Sequence, residues 1–386
     1  MKSRAAVPVK IAALLVVILI GVGGASYLIL FHGGGGEALS ITKTSTTTQS
    51  PSQTQALSAT SSSSESTSSS QASSTSRSSS SSTTGTSSSK SSSTTLSTSS
   101  PSSSALGAIS HVVVILMENE EYGSVIGSPS APYQNSLASR YALAANYTGV
   151  AHPSLPNYLA LVGGSTFGAA TDCSPSQCSL PSTTTSITTL LDARGLSWKE
   201  YAESMPASCS QTNSADGLYF AKHNPFVYFD AITGNSGTGI TSSYCGSHVV
   251  SMTQFYLDLQ AGALPNYSFI TPNICDDAHS CPLSTGDSWL STVVAKIINS
   301  SSFASTALFI VYDEGSSGDL TGGGGHVPCI LVSPFAKMGY VSHAPYSHYS
   351  LLATVETIFS LGNLARNDAT ASPITDLFAS NVLPLA

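Results

Sequence analysis

Short, uninterrupted apolar runs alternate with stretches of helical period through the C-terminal part of the chain. HVVVILM (His111 to Met117), YSFIT (Tyr267 to Thr271), ALFIVY (Ala307 to Tyr312) and VPCILVS (Val327 to Ser333) show no polar alternation and read as strands covered on both faces. Between them, Leu290, Val293, Val294, Ile297 and Ile298 recur at helical spacing, and Leu351, Leu352, Val355, Ile358 and Phe359 repeat a similar stripe. Strands alternating with helices imply an α/β domain with a largely parallel sheet.

The N-terminal pattern is different. From Val7 through Phe31 the chain is almost wholly apolar, and the uncharged part after Lys10 matches the ~20 residues needed to cross a bilayer as a helix. Lys2, Arg4 and Lys10 precede the run, which places Met1 in the cytoplasm and the remainder outside. The expectation is an uncleaved transmembrane anchor over residues 1–32, with a cleaved signal peptide as the alternative and GVGGAS as the small-residue site for a peptidase. Residues 33–105 are dominated by Ser and Thr with almost no large apolar side chain, a composition that cannot offset its ordering entropy by burial. They read as a disordered, extracellular stalk suited to O-glycosylation. Residues 106–386 are then one catalytic domain, its ~280 residues enough for a single large core.

Composition narrows the function. Only 9% of residues are charged, against roughly 25% in an average soluble protein. A net charge of -8 with 13 Lys and Arg supplies no basic face for a phosphate backbone, so nucleic acid is excluded as a partner. All seven cysteines fall in the catalytic domain. Cys173 and Cys178 are close in sequence, as are Cys275 and Cys281, Cys209 and Cys245 bracket a loop-rich stretch, and Cys329 stands alone in an apolar run. The simplest arithmetic is three disulfides and one buried thiol, which belongs in an oxidising compartment. Asn146, Asn266 and Asn299 head sequons for surface glycosylation.

Three of the expected strands end in polar groups. His111 to Met117 runs into Glu118-Asn119, Tyr267 to Thr271 into a segment containing Asp276, Asp277 and His279, and Ala307 to Tyr312 into Asp313-Glu314. A parallel sheet brings all three to one edge, where carboxylate, amide and imidazole groups suit a divalent cation. A second constellation is His152-Pro153-Ser154-Leu155-Pro156-Asn157, in which Ser154 is placed like an N-cap of a short helix ending at Gly163-Gly164. A hydroxyl there lies where backbone N–H groups favour a phosphoryl group, and a nearby metal would make it a nucleophile.

LMENEEYGSVIG, GVAHPSLPNYLALVGG, YAESMP, KHNPFVYF, TPNICDDAH, VYDEG, GGGGHVPCILVSPFA and HYSLLATVETIF occur in the order seen in one family. After about Ile109 the chain resembles the phosphoesterase family that holds bacterial acid phosphatases and non-haemolytic phospholipases C. The resemblance implies an alkaline-phosphatase-like three-layer sandwich and phosphoryl transfer through a metal-activated hydroxyl. Carried over by motif, Glu118, Asn119, Asp313 and Glu314 are metal ligands and Ser154 is the nucleophile. His223, His279 and His326 correspond to histidines around the transferred phosphoryl group, while His111, His248, His343 and His348 remain structural. The oxygen-rich set suits Ca, Mg or Mn, and the imidazoles also suit Zn. The chain lacks an evident C-terminal membrane-binding module, so the expected reaction is phosphomonoester hydrolysis through a phosphoserine, with an acidic pH optimum implied by the family. The alternatives are phospholipase C-type diester cleavage, on small-molecule or lipid head-group esters, and an inactive surface-binding protein. The expected location is the cell membrane with the catalytic domain outside, or secretion if the N-terminal segment is cleaved.

Overall fold

A computed structural model describes residues 16–22, 25–31, 42–44, 109–234, 242–380 and 382. Packing divides the chain into two units, Met1–Ser93 and Thr94–Ala386.

In the first unit the structure corrects the expected transmembrane helix. Val16–Val22 and Ala25–Phe31 are antiparallel strands, with Val22 paired to Ala25, and Thr42–Thr44 adds a third strand within the tract read as disordered. No helix among the described residues is long and apolar enough to cross a membrane. The reason is local: Val16, Val17, Ile18, Ile20 and Val22 are β-branched, and Gly21, Gly23 and Gly24 disfavour a helix. The rest of residues 1–32 and of the 33–105 tract lies outside the described residues.

The second unit is built on an eight-stranded sheet. In chain order its strands are β1 (His111–Met117), β2 (Ala142–Ala144), β3 (Trp198–Ala202), β4 (Val249–Ser251), β5 (Tyr267–Thr271), β6 (Thr306–Tyr312), β7 (Cys329–Val332) and β8 (Tyr340–Ser342). Their spatial order is β8-β2-β7-β6-β1-β5-β3-β4. Only β7 opposes the other seven, so the sheet is mostly parallel as expected. The four strands read from apolar runs are the central ones, because only a strand covered on both faces is continuously apolar. Every residue of β5 and β6 is buried. Helix Pro132–Arg140 packs on Leu283–Ile298, and helix Ser154–Gly163 packs on His348–Phe359. The remaining strands, β2, β3, β4 and β8, are short or peripheral and carry no such signal.

Three disulfides form, Cys173–Cys178, Cys209–Cys245 and Cys275–Cys281, and Cys329 is the buried free thiol. That count suits an extracellular or secreted protein. Asn146 and Asn299 are exposed, whereas Asn266 spends its side chain on Ser197 and on the Ser110 carbonyl at the entrance to β1.

Glu356, on the helix His348–Phe359, is 3% exposed, and burial and the Asp368 carboxylate push its carboxyl from 4.5 up to about 9. Because the folded state holds this proton more tightly than the unfolded chain, the associated stability is present below about pH 4.5 and is lost as pH rises through about 9. Glu356→Gln is expected to remove that dependence. The variant's thermal midpoint, measured from pH 5 to 9, should overtake the wild type at the alkaline end by several degrees, of the order a kcal/mol or more produces. Parallel curves for the two proteins would contradict it.

Candidate active site

The parallel register sets the site. Tyr312 at the end of β6 pairs with Met117 at the end of β1, so the next residues, Asp313 and Glu118, emerge side by side at one edge of the sheet. Asp313 N donates to Met117 O at 2.9 Å, and Glu118 N donates to the carbonyl of Asp277, beyond β5, also at 2.9 Å. All three strand-end groups singled out in the sequence therefore meet, in keeping with ligand binding beyond the carboxyl ends of α/β strands. Asn119 turns the chain in the left-handed region, φ 58°, a conformation Asn tolerates better than most residues. Its backbone N–H donates to Asp313 Oδ1 at 3.1 Å and its amide to Glu118 Oε2 at 3.0 Å.

Ser154 begins the helix Ser154–Gly163 instead of capping it; Pro153 holds the cap position. The hydroxyl is thereby freed from the backbone. It is 1% exposed, and its Oγ lies 3.1 Å from Glu118 Oε2 and 3.3 Å from Glu314 Oε1. The turn before it is stitched by Asn157. That side chain accepts from the N–H groups of Val150 and Ala151, at 2.8 and 3.1 Å, and donates to the carbonyls of Ala151 and Pro153. The helix ends at Gly164, φ 67°, at the glycine pair the sequence marked.

Further groups complete the cluster. Tyr158 donates its hydroxyl to Glu118 Oε1 at 2.5 Å and stacks on His223 at 5.3 Å between ring centroids. His223 is buried, with Nε2 3.3 Å from Glu118 Oε1 and Nδ1 3.4 Å from Asp277 Oδ2. His279 lies beside it, ring centroids 5.6 Å apart, and takes its backbone position from a bond to Asp277 Oδ1. His152 Nε2 lies 2.8 Å from the Asp319 carbonyl, and Nδ1 2.5 Å from Glu314 Oε2. A carbonyl can only accept, so Nε2 carries a proton and a second one is shared between Nδ1 and Glu314. Asp172 accepts from the Leu155 N–H at 3.0 Å and pairs with Lys222 at 2.7 Å.

The sequence-derived residues divide accordingly. Glu118, Asn119, Ser154, Asp313, Glu314, His223 and His279 come together. His326 does not join them: its ring stacks on Tyr122 and its Nε2 meets the Ala145 carbonyl at 2.9 Å. The cause is the preceding glycine run, which packs its backbone against residues 149–151. A Cβ on Gly324 would lie 2.6 Å from Ala151 O and 2.7 Å from the Gly149 carbonyl carbon. Gly324→Ala is expected to push this loop off the turn that carries Ser154, lowering the thermal midpoint by about 4 °C or more. An unshifted melt would contradict the packing. His348, read as structural, donates Nε2–H to the Asp313 carbonyl, 2.5 Å away, and its Nδ1 lies 3.0 Å from the Tyr147 hydroxyl. His152, Asn157, Tyr158, Asp172 and Lys222 are the residues sequence reasoning left without a role, although all but Asp172 stand inside motifs it quoted.

The charge balance is one-sided. Burial first, then the neighbouring carboxylates, hold Glu118 and Asp313 well above the usual carboxylate range; burial also raises Glu314 and takes Asp277 to about 7. Burial lowers His223 to about 3 and also lowers His279. Asp313 Oδ2, Asp277 Oδ2 and His223 Nε2 are buried with no hydrogen-bond partner. Ligand atoms of Glu118, His223 and His279 all lie within 4.8 Å of one another. Unsatisfied oxygen and nitrogen donors among buried like charges fit a divalent cation, and these residues can hold one.

Residues 128–362 match the phosphoesterase family. The chain is 33% identical over 279 residues to a phosphatidylinositol-3-phosphatase of Mycobacterium tuberculosis, covering 72% of this chain and 85% of that protein. It is 30% identical over 275 residues to a phosphate-repressible acid phosphatase of Penicillium chrysogenum, covering 69% of this chain and 62% of that protein. The chain thus spans less than two thirds of the length of that fungal relative. A solved Bacteroides thetaiotaomicron structure concerned with glycosaminoglycan metabolism shares the fold at a TM-score of 0.51 and 11% identity, covering 70% of this chain and 82% of that one. On the match across most of its catalytic unit and on these relatives, the chain belongs to the phosphoesterase family.

Proposed function

We infer that the protein is a metal-dependent, extracytoplasmic phosphatase that hydrolyses phosphomonoesters, with Ser154 as nucleophile. The observation that carries the reading is the Ser154 hydroxyl, buried at the start of a helix and shared between Glu118 and Glu314. The names of the matched relatives, acid phosphatases and a phosphoinositide phosphatase, support the same class.

Glu118, Asp313, Asn119 and Glu314 would hold a divalent cation, with His223, His279 and Asp277 adding imidazole and carboxylate donors on the far side of Glu118. Such an ion supplies positive charge that stabilises the serine alkoxide and the phosphoryl oxygens. The chain's own groups do the rest. The Ser154 proton passes to Glu314 Oε1, the oxygen that His152 leaves free, and Oγ attacks phosphorus while the P–O bond to the ester alkoxide breaks. The first helical N–H groups, including Leu155 N once Asp172 gives it up, face the charge that grows on the phosphoryl oxygens. Burial lowers both His223 and His279, so each faces the departing alkoxide as a neutral imidazole that can donate a hydrogen bond, and the alkoxide takes its proton from the water whose hydroxide attacks next. That hydroxide attacks the phosphoserine, releasing phosphate, and Ser154 recovers its proton from Glu314.

The reading is tested by turnover of p-nitrophenyl phosphate against bis(p-nitrophenyl) phosphate. The monoester is expected to be preferred in kcat/KM by about 10²-fold, a difference of ~2.7 kcal/mol in transition-state binding. Preference for the diester would move the protein to the phospholipase C class, and no turnover of either would leave a binding protein.

A further inference from the structure

Asp172 holds the place that the proposed mechanism gives to a phosphoryl oxygen. Its Oδ1 accepts from the backbone N–H of Leu155, the residue after Ser154, at 3.0 Å, and its Oδ2 takes the Lys222 ammonium at 2.7 Å. A helix N–H beside the nucleophile and a neighbouring cation are the two kinds of donor that an entering phosphoryl group uses. Here one carboxylate bridges both. The pair belongs to the Ser154 cluster: after the larger effect of burial, the Lys222 charge is felt by Glu118 and Asp277, and the Asp172 charge by Glu314.

The carboxylate is free to leave. Among the described residues, Leu155 N–H and Lys222 are the only hydrogen-bond donors to its side chain, which is 26% exposed, whereas Ser154 and Glu118 are buried. Asp172 sits on a loop next to Cys173 of the Cys173–Cys178 disulfide, and Ala170 and Thr171 before it are exposed. It borders a cleft of about 880 Å³ between that loop and the one tied by Cys209–Cys245, so its side chain has room to swing away from Leu155. A carboxylate carries one negative charge and a phosphate dianion two, so the dianion draws the same donors more strongly.

We propose that Asp172 is a built-in competing anion: it closes the phosphoryl position before substrate arrives, yields that position to the phosphoryl group, and returns to it as inorganic phosphate leaves. The proposal rests on the phosphatase reading, which supplies the anion and its place beside Ser154. No bond is made or broken by the exchange; one anion replaces another at the Leu155 N–H and the Lys222 ammonium. Its consequence is that every phosphate species binds more weakly, by the fraction of time the position stands open. Product therefore does not accumulate on the protein.

The probe is inorganic phosphate, which takes the position without turnover. Calorimetry on protein supplied with Mn compares the wild type with Asp172→Asn, which keeps the shape and drops the charge, and with Asp172→Ala, which drops the acceptor as well. Both variants are expected to bind phosphate about tenfold or more tightly than the wild type. The Ki of phosphate against p-nitrophenyl phosphate should fall by the same factor. Direction separates this role from a structural one, because a loop merely loosened by the substitution would lose affinity. Circular dichroism confirms that the variants are folded. Tighter binding by either folded variant upholds the proposal. Equal or weaker binding by both overturns it, as does no binding by any of the three proteins. If a variant binds phosphate more tightly and the wild type turns over neither p-nitrophenyl ester, the phosphatase reading falls and the competing anion stands. If the wild type turns over the monoester and neither variant gains affinity, the phosphatase reading stands and the competing anion falls.

Discussion

Ser154→Ala lowers kcat toward p-nitrophenyl phosphate by about 10³-fold or more, the scale of loss when a covalent nucleophile is removed from an otherwise intact site. The fold is expected to survive, because the hydroxyl caps nothing: Pro153 holds the cap position and the Oγ bonds are to Glu118 and Glu314. Removing it takes one shared donor from the two carboxylates, a loss of about 1–3 kcal/mol against a core that is otherwise unchanged. Two measurements read the prediction. Quenched reactions with ³²P-labelled substrate should leave label on the wild type and none on the variant. Steady-state kcat should fall while the circular dichroism spectrum holds. A variant that retains a tenth of wild-type turnover would place the nucleophile elsewhere.

The second large effect concerns the cation, and its sign depends on loading. Chelation is expected to abolish turnover and to lower the thermal midpoint, since a ligand present at about 100 times its Kd contributes about 2.7 kcal/mol to the folded state. Asp313→Asn then separates two roles of one carboxylate. In chelated protein it removes a charge that burial and Glu314 destabilise, so the midpoint should rise by a few degrees. In protein saturated with the activating ion it removes a ligand, so the midpoint should fall and activity should be lost. Calorimetric scans with and without added Mn or Zn report the crossing directly, independent of turnover. Equal shifts of one sign in both conditions, with activity indifferent to chelators, would show that the carboxylate cluster manages its charge with protons alone.

The same residues illustrate what could be read in advance. Glu118, Asn119, Asp313 and Glu314 were legible because they follow apolar runs that can only be central strands, and parallel strands deliver their ends to one edge. Ser154 was legible through its helix signals, although the structure makes it the first helical residue. His152 and Tyr158 lay in quoted motifs but had no assigned chemistry. Their roles arise from contacts to Glu314 and Glu118, 162 and 40 residues away in the chain. Asp172 carried no signal at all, since its partners are Lys222 and a backbone N–H. His326 looked equivalent to His223 and His279 in sequence. The glycine run before it packs on residues 149–151, and that packing turns its ring toward Ala145 and Tyr122.

The chain by itself determined the class of the domain, its four central strands, the cysteine count in disulfides and the carboxylate pairs at the sheet edge. These follow from burial and local period, which each segment records in its own residues. Tertiary structure decided the order of the strands, the single reversed strand β7, the neighbours of each histidine and the cleft between disulfide-tied loops. Those outcomes depend on distances between residues far apart in sequence, and no local pattern encodes which partner a side chain will meet.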